Sequence, residues 1–332
     1  MGMLVAGIGH YLPKREVSND ELLRMVSENS PNNLDIEGLK KKLNLNIAIS
    51  RHFASEEESG LYMAEQAIRN CLERSDIDVL DIDLIIYTAM YRRYIEPAMA
   101  ICLSEIIGAK NANGFDLSNA CMGFLNAIEL ARLYIESKRY KTILVVGAEE
   151  NSKQIPLDSF GDIDKNPGFS SLTIADGAAA AILTCGEADR NFGLYRMKTF
   201  SEHKDVCKVP LGKGKDDMKL DVNSRKLAAV ALNIMSDFIP EFVYAAEDYL
   251  QGVDIMFIHQ VTGYQKRFCG KLRDDLFNKF YTTFPHVGNT GSVSIPLAMS
   301  LAQQEGKLKR GDKVVLIVGA SGFSCGGTAF VY

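Results

Sequence analysis

The stretch Asp116–Phe124, with the sequence DLSNACMGF, decides how the rest of the chain is interpreted. A short polar turn ends in Cys121, and an apolar run of helical periodicity follows over residues 124–134. Cys121 is therefore predicted at a helix N-terminus, where unpaired N–H groups and the helix dipole favour a thiolate. A thiolate in that position has a lowered pKa and is a better nucleophile at neutral pH.

The neighbours of Cys121 fit a nucleophile. Ser118 and Asn119 can cap the helix, and Gly123 allows a substrate or another backbone to approach the sulfur. The alternative interpretation is a buried structural thiol, which is the ordinary situation of a free cysteine.

Composition restricts the class of protein. The chain has 332 residues, 47% hydrophobic and 24% charged, which is enough to build one large core or two domains. The net charge of −5 argues against nucleic-acid binding, because no pervasive basic surface is present to neutralise phosphates.

The seven cysteines form no Cys-x-x-Cys pair, and their number is odd, so the sequence predicts neither a disulfide framework nor a metal site. The first residues lack the charged and apolar regions of a signal peptide, and no apolar run suggests a membrane span. We therefore expect a cytoplasmic protein.

Buried strands recur in a repeated order. Residues 83–88 resemble residues 254–259, and Val145–Ala148 resembles Ile317–Ala320. The number of residues between the first and the second of these strands is nearly the same in both halves of the chain. In each half a glycine-containing polar turn and a helix lie between the two strands. This repetition predicts an internal duplication and a layered α/β protein with helices packed between two sheets. The predicted halves are residues 1–185 and 186–332.

Periodicity and capping signals locate the remaining elements. We predict strands over residues 3–9, 141–149, 175–183 and 313–321. Helical segments are predicted within residues 18–45 and over residues 58–74, 98–107, 227–250, 264–276 and 296–304. Residues 186–225 are interpreted as a connection with surface excursions, and residues 285–291 as a loop.

Two residues of the second half could act with Cys121. His259 follows a buried strand, and Asn289 lies in a Gly-Asn-Thr-Gly turn. The pseudo-twofold relation between the halves could bring both towards the cysteine, which would give a nucleophile with two side-chain hydrogen-bond donors. Each also has a structural explanation, as a strand-end histidine and as a turn residue in a left-handed conformation.

Glu96 is a further candidate, because it precedes Pro97 in a segment apolar enough to be partly buried. A carboxylate in an apolar channel has a raised pKa and can serve as a general base. The structural alternative is an acid that favours the dipole of the following helix.

Five motifs, in order along nearly the whole chain, resemble the β-ketoacyl-ACP synthase III branch of the thiolase superfamily. They are Asn119-Ala-Cys121-x-Gly-Phe, Ala175-Asp-Gly-Ala, Ile258-His-Gln, Gly288-Asn-Thr-Gly-Ser-Val-Ser-Ile-Pro296 and Gly322-Phe-x-x-Gly326. The resemblance implies a duplicated five-layer α/β/α/β/α thiolase-like fold and a homodimer.

The resemblance also implies roles for the candidate residues. Cys121 would attack an acyl thioester and hold the acyl group, while His259 and Asn289 would bind the donor carbonyl and stabilise its enolate. The backbone N–H groups of Cys121 and Ser321 would form the oxyanion hole, although many members have glycine where Ser321 stands. No cofactor or metal is implied beyond the acyl-CoA or acyl-carrier-protein substrates.

Two features depart from typical fatty-acid-initiating members. Those members hold the coenzyme A adenine with a tryptophan and a nearby arginine, but this chain has no tryptophan and no arginine in residues 43–50. The segment Arg92–Ala98 and the Asn119-Ala-Cys121 form instead resemble the head-to-head condensing enzymes of olefin synthesis. In those enzymes the glutamate reaches the partner subunit's site as a base, which implies that role for Glu96.

The sequence thus predicts an acyltransferase that forms a carbon–carbon bond by Claisen condensation, in fatty-acid initiation or secondary-metabolite synthesis. The alternatives are acyl transfer to an oxygen or nitrogen nucleophile, a non-condensing partner subunit, and a cysteine hydrolase. A hydrolase of the α/β type would need glycine where Asn119 stands. An acyl carrier protein is a candidate partner, with Lys266-Arg267 and Arg92-Arg93 as docking charges.

Overall fold

The computed structural model describes residues 2–30, 34–160, 168–186, 192–211, 218–263 and 265–332. Two five-stranded sheets dominate it, and both have the same pattern of parallel and antiparallel neighbours. The Gly-Lys-Gly-Lys-Asp-Asp run at 212–217 lies outside the described residues.

The first sheet has the strand order β1-β7-β6-β4-β5. Strand β4 runs parallel to β5 and β6, whereas β7 is antiparallel to β6 and β1. All nine residues of β6 are buried, as expected for continuous apolar strands with both sheet faces covered. The strands are β1 (Gly2–Tyr11), β4 (Leu84–Thr88), β5 (Asn113–Leu117), β6 (Thr142–Glu150) and β7 (Asp176–Gly186).

The second sheet has the equivalent order β12-β11-β13-β14-β8. Strand β11 runs parallel to β12 and β13, and β14 is antiparallel to β13 and β8. Its strands are β8 (Leu194–Thr199), β11 (Ile255–Ile258), β12 (Phe280–Tyr281), β13 (Lys313–Ala320) and β14 (Ser324–Val331).

Helices cover and separate the sheets. Helices α3 (Gly60–Leu72) and α4 (Met99–Ile107) pack on the outer face of the first sheet, and α6 (Ser224–Leu250) packs on the second. Helices α5 (Gly123–Glu136) and α9 (Ser294–Gln304) contact strands of both sheets and form the middle layer. The order of layers is therefore α/β/α/β/α, which confirms the predicted fold class.

The remaining elements lie at the edges of this layered body. They are β2 (Arg15–Ser18), β3 (Ser50–Phe53), β9 (Cys207–Lys208), β10 (Asp221–Val222), α1 (Asn19–Asn29), α2 (Ile36–Leu45), α7 (Asp274–Phe277) and α8 (Phe284–Val287). Ser18 caps α1 by accepting a hydrogen bond from the Glu21 N–H, as its sequence predicts.

The central core lies between the two sheets. It joins Val145 of the first sheet and Leu316 of the second through Ile128 of α5, and all three side chains are buried. Burying such aliphatic side chains contributes roughly 1.5–3 kcal/mol each, so this layer is a major source of stability.

Helix α6 is long and apolar enough to cross a membrane by length and composition, contrary to the expectation from the sequence. Its fully buried residues, including Ile239, Phe242 and Ala246, belong to the core cluster that covers the outer face of the second sheet. The apolar character of α6 is therefore explained by its packing as a core helix against the second sheet.

Three other predictions are wrong in part, and one of them is the loop at residues 285–291, which begins inside α8. Of the helix predicted over residues 264–276, residue 264 lies outside the described residues. The remainder is divided into a 3₁₀ turn, Gln265–Phe268, and the short α7, with Gly270 between them. Gly270 has a φ of 53°, and a Cβ there would lie 2.1 Å from the Ser236 carbonyl oxygen. The close approach to α6 therefore requires glycine and ends the helical path. Residues 186–225 also contain β8, a full edge strand.

Candidate active site

Cys121 lies in the 3₁₀ turn Ala120–Met122, between the end of β5 and the start of α5. Ala120 has a φ of 46°, a left-handed conformation that is uncommon for a residue with a Cβ and is found often at functional sites. A Cβ at Gly123 would lie 2.0 Å from Thr88 Oγ1, so only glycine lets α5 begin this close to β4. The strained turn and the close packing together fix the position of Cys121.

The predicted side-chain cap of α5 is wrong. The N-cap position is Met122, and no side chain caps the helix. Asn119 instead donates its Nδ2 to Asn126 Oδ1 at 2.7 Å. The 3₁₀ turn moves the start of α5 beyond the reach of Ser118 and Asn119.

The predicted lowering of the thiol pKa is also wrong for the protein without substrate. Burial raises the pKa of Cys121, and the Glu149 carboxylate and the Cys207 thiol raise it further. Desolvation of the thiolate thus outweighs the favourable effect of the helix N-terminus. The Sγ atom lies 3.9 Å from Met90 Sδ.

His259 follows β11 directly and is buried, with 4% of its surface exposed. Burial lowers its pKa to about 4, so the ring is neutral at physiological pH. Nδ1 lies 2.6 Å from Ser294 Oγ, which also accepts from the Gln260 N–H at 3.5 Å. This contact allows the tautomer in which the hydroxyl donates to Nδ1 and Nε2 carries the hydrogen.

Cys121 and His259 line the same cavity, as the sequence predicted from their places at strand ends. Its other polar lining residues are Ser292 and Ser294, and its remaining walls are apolar: Phe124, Leu125, Ile128, Ile295, Leu316 and Val318. A second, separate cavity is lined in part by the same side chains, Phe124, Ile128, Ile295 and Leu316. These shared apolar side chains belong to the central core and lie between the two cavities.

Asn289 is half-buried and not among the residues that line this cavity. Its Oδ1 accepts from the Gly291 N–H at 3.0 Å, and its backbone pairs with residues 173 and 175. Within the described ranges, no acceptor is hydrogen-bonded to its Nδ2, which leaves that amide as a donor. The turn it begins, residues 289–294, contacts the Cys121 turn through Gly291–Val293.

Ser321 follows β13, and this strand contacts the Cys121 turn. Ala320 of β13 pairs with Ser324 of β14, and this is the last pair before the hairpin turn. Ser321 therefore lies in the turn that connects the two strands. Its N–H is not donated to any backbone carbonyl in the part of the chain that the structure describes. Ser321 is not among the residues that line the cavity.

Glu96 is exposed, contrary to the prediction that its segment is partly buried. The neighbouring Tyr94 and Ile95 are 42% and 83% exposed. Among the residues that the structure describes, no apolar channel surrounds this carboxylate, because residues 93–97 of the loop before α4 are all exposed.

Glu149 was missed by the sequence reasoning. It is fully buried near the end of β6, and its carboxylate accepts hydrogen bonds from the Met90 N–H and from both the N–H and the hydroxyl of Ser292. The signal was present, since a carboxylate within an otherwise apolar strand must have buried partners.

Family models match both halves of the chain. The model described as 3-Oxoacyl-[acyl-carrier-protein (ACP)] synthase III matches residues 115–201, and the model of its C-terminal part matches residues 249–332. The first match contains Cys121, and the second contains His259 and Asn289.

Full-length relatives agree with these matches. The chain is 28% identical to the beta-ketoacyl-[acyl-carrier-protein] synthase III of Clostridium perfringens strain ATCC 13124, over 96% of each chain. It is 28% identical to that of Methylococcus capsulatus, over 99% of this chain and 98% of the relative.

Solved structures show the same fold. The 3-oxoacyl-[acyl-carrier-protein] synthase III of Aquifex aeolicus VF5 matches with a TM-score of 0.83 at 24% identity, over the whole of both chains. A variant of OleA from Xanthomonas campestris matches with a TM-score of 0.82 at 23% identity, over 100% of this chain and 98% of that one. Together the two family models match just over half of the chain and show that it belongs to the 3-oxoacyl-ACP synthase III family.

Proposed function

We propose that this protein is an acyltransferase that joins two acyl thioesters by Claisen condensation through an acyl-Cys121 intermediate. The observation that carries the proposal is one cavity that holds Cys121 and a neutral, buried His259 and is otherwise largely apolar. Such a cavity suits a nucleophile, a hydrogen-bond donor and an acyl chain.

In the first step the Cys121 sulfur attacks the thioester carbonyl and forms a new carbon–sulfur bond. The carbon–sulfur bond of the incoming thioester breaks, and the departing thiolate takes up the proton that Cys121 gives up. Because burial keeps Cys121 as a thiol in the free protein, this proton is lost only as substrate binds. Backbone N–H groups of Cys121 and Ser321 stabilise the oxyanion of the tetrahedral intermediate.

In the second step the donor thioester becomes an enolate, either by loss of carbon dioxide from its α-carbon or by removal of an α-proton. His259 Nε2–H and Asn289 Nδ2–H donate hydrogen bonds to its oxygen. The enolate carbon attacks the acyl group on Cys121, the new carbon–carbon bond forms, and the Cys121 thiolate departs. A donor role for His259 agrees with the contact between its Nδ1 and the Ser294 hydroxyl.

Product analysis tests this proposal. The purified protein is incubated with pairs of acyl thioesters, carried by coenzyme A or an acyl carrier protein, and the products are identified by mass spectrometry. A β-ketoacyl product supports condensation. Free acid alone would indicate a hydrolase, an ester or amide would indicate acyl transfer to oxygen or nitrogen, and no turnover would favour a non-condensing subunit.

We propose that the acyl chain lies beside Ile128, which lines both the cavity of Cys121 and the neighbouring apolar cavity. We expect Ile128→Trp to lower the rate with long acyl thioesters at least about tenfold relative to short ones, because the indole fills this space. Rates with acyl thioesters of increasing length measure the effect.

Leu133→Trp is the matched control, since Leu133 lies on the same helix but is 48% exposed. An unchanged chain-length profile in Ile128→Trp would contradict this placement of the acyl chain.

We further propose that each chain consists of two thiolase-like halves, residues 1–185 and 186–332, and that two such chains form a homodimer. The protein is proposed to be cytoplasmic and to need no cofactor beyond its thioester substrates. Tyr94 and Ile95 are exposed apolar side chains, and they support a second copy of the chain as the partner that covers the surface around Glu96.

Arg267 and Arg93 are candidate docking charges for an acidic carrier protein. Their neighbours are engaged within the chain, Lys266 with Asp274 at 2.8 Å and Arg92 with Asp116 at 3.7 Å.

In the homodimer Glu96 would reach the partner's cavity and remove the donor α-proton. We expect Glu96→Gln to lower condensation at least about 100-fold while acylation of Cys121 persists, because only the enolate-forming step loses its base. Separate assays of acylation and product formation measure the two steps.

Glu105→Gln is the control for this variant, because Glu105 is an exposed carboxylate on the following helix α4. Condensation that is unchanged in Glu96→Gln would remove Glu96 from the mechanism.

A further inference from the structure

Glu149 joins the two half-sites through its carboxylate. Its oxygens lie 3.0 and 3.2 Å from the Met90 nitrogen, which follows β4 in the first half of the chain. Oε1 also lies 3.1 Å from the Ser292 nitrogen and 2.6 Å from Ser292 Oγ, in the second half. One buried side chain therefore holds two segments that lie about 200 residues apart in the sequence.

Both segments contact the reacting groups. Met90 Sδ lies 3.9 Å from Cys121 Sγ, and Ser292 lines the cavity that Cys121 and His259 share. Ser292 also belongs to the turn that begins at Asn289. A shift of either segment would thus change the distance between the cysteine and the proposed donors.

The two segments are packed against each other without spare room. Gly291 has a φ of 57°, and a Cβ there would lie 2.6 Å from Met90 Cε and 3.0 Å from Glu149 Oε1. The glycine is required both by its left-handed backbone and by this close approach.

We infer that ionised Glu149 is a positioning residue that holds the Met90 segment against Cys121 and the residues 289–294 turn against the cavity. This inference rests on the proposed function, since it assigns Glu149 to the alignment of acyl-Cys121 with His259 and Asn289. Glu149 acts through these neighbours and need not contact the substrate.

The hydrogen-bond partners favour the ionised form. The backbone N–H groups of Met90 and Ser292 can only donate to the carboxylate, and the Ser292 hydroxyl can donate to it as well. Burial raises the pKa of Glu149 to about 7, and the titratable groups that face it are Tyr87 of β4 and Cys121. The 289–294 turn contributes no titratable side chain.

The raised pKa of Glu149 means that the protonated form is better for stability, whereas the ionised form is the one that positions the site. An acid whose pKa is higher in the folded state contributes stability that is complete below its unfolded value, near 4.5, and is lost as pH rises through about 7. The charged form that positions the site is the one that costs stability.

The test compares two reactions of Cys121 in Glu149→Gln. Alkylation by iodoacetamide reports thiolate formation and is followed by peptide mass spectrometry at pH 6–9, with the exposed Cys185 as internal reference. We expect Cys121 alkylation at pH 8 to rise about tenfold, equivalent to about one pKa unit, because the neighbouring charge is gone. Condensation by the pre-acylated enzyme should fall at least about tenfold, because the two segments lose their shared acceptor.

Because a damaged fold would also expose the buried thiol and raise its alkylation, the buried Cys71 is followed as a second reference and should keep its wild-type alkylation rate in Glu149→Gln. Opposite changes at Cys121 with Cys71 unchanged are the signature of positioning. Asp176→Asn is the control for loss of a buried acid, because Asp176 also has a pKa raised by burial, to about 6, but bonds Ala54 and Ser152. It should leave Cys121 alkylation unchanged.

If Glu149→Gln does not fold, Glu149→Asp keeps the charge but shortens the side chain. It should then retain the wild-type alkylation rate and lose condensation. Unchanged rates in a folded variant, or a parallel fall of both, would overturn the inference. Failure of the wild type to be acylated by any thioester would instead contradict the proposed function, and the alkylation result would still report on Glu149.

Discussion

Cys121→Ala is expected to abolish the covalent acyl adduct and to lower condensation at least about 1,000-fold, because Cys121 supplies the thiol among the residues that line the cavity. Intact-protein mass spectrometry after incubation with acyl thioesters measures the adduct. The wild type should gain the mass of one acyl group and the variant none.

Cys185→Ala is the control for this experiment, since Cys185 is an exposed free thiol at the end of β7. It should load and condense like the wild type. An adduct that persists in Cys121→Ala, or one that disappears in Cys185→Ala, would place the nucleophile elsewhere.

His259→Ala is expected to lower condensation by about 100-fold to 1,000-fold while the acyl adduct on Cys121 still forms, because it removes a donor to the enolate oxygen. Asn289→Ala should behave similarly. Because the pKa of His259 is lowered to about 4, condensation by the wild type should show no inflection from this histidine between pH 5 and 8. Single-turnover assays separate the acylation and condensation steps.

His286→Ala is the control, since His286 is exposed on α8, three residues before Asn289. A parallel loss of acylation and condensation in His259→Ala would assign this histidine to the first step. An inflection near pH 6.5 that disappears in the variant would contradict the neutral-donor role.

The sequence predicted the position of Cys121 from the polar turn before its helix, and that of His259 from the buried strand that it follows. The strand before Cys121, Asn113–Leu117, was not predicted, because its sequence NGFDL lacks a continuous apolar run. The repeated strand–helix–strand pattern likewise predicted the two equivalent sheets. These features depend on local hydrophobic periodicity, which the sequence displays directly.

Features that depend on tertiary packing were not predicted. The raised pKa of Cys121 follows from burial among residues distant in sequence, and the helix-dipole argument considers only its own helix. The break at Gly270 requires contact with Ser236 of α6, and the partners of Glu149 come from two distant turns. The exposure of Glu96 likewise depends on the tertiary placement of the loop before α4, which the local sequence does not determine.

The most direct test of the account follows the acyl group from Cys121 into the product. The protein is loaded with a ¹³C-labelled acyl thioester, freed of excess substrate, and mixed with an unlabelled second thioester. The account predicts that the label leaves Cys121 and is recovered in a β-ketoacyl product, bonded to the α-carbon of the second substrate. Label that stays on the protein, or is released only as free acid, would contradict condensation through acyl-Cys121.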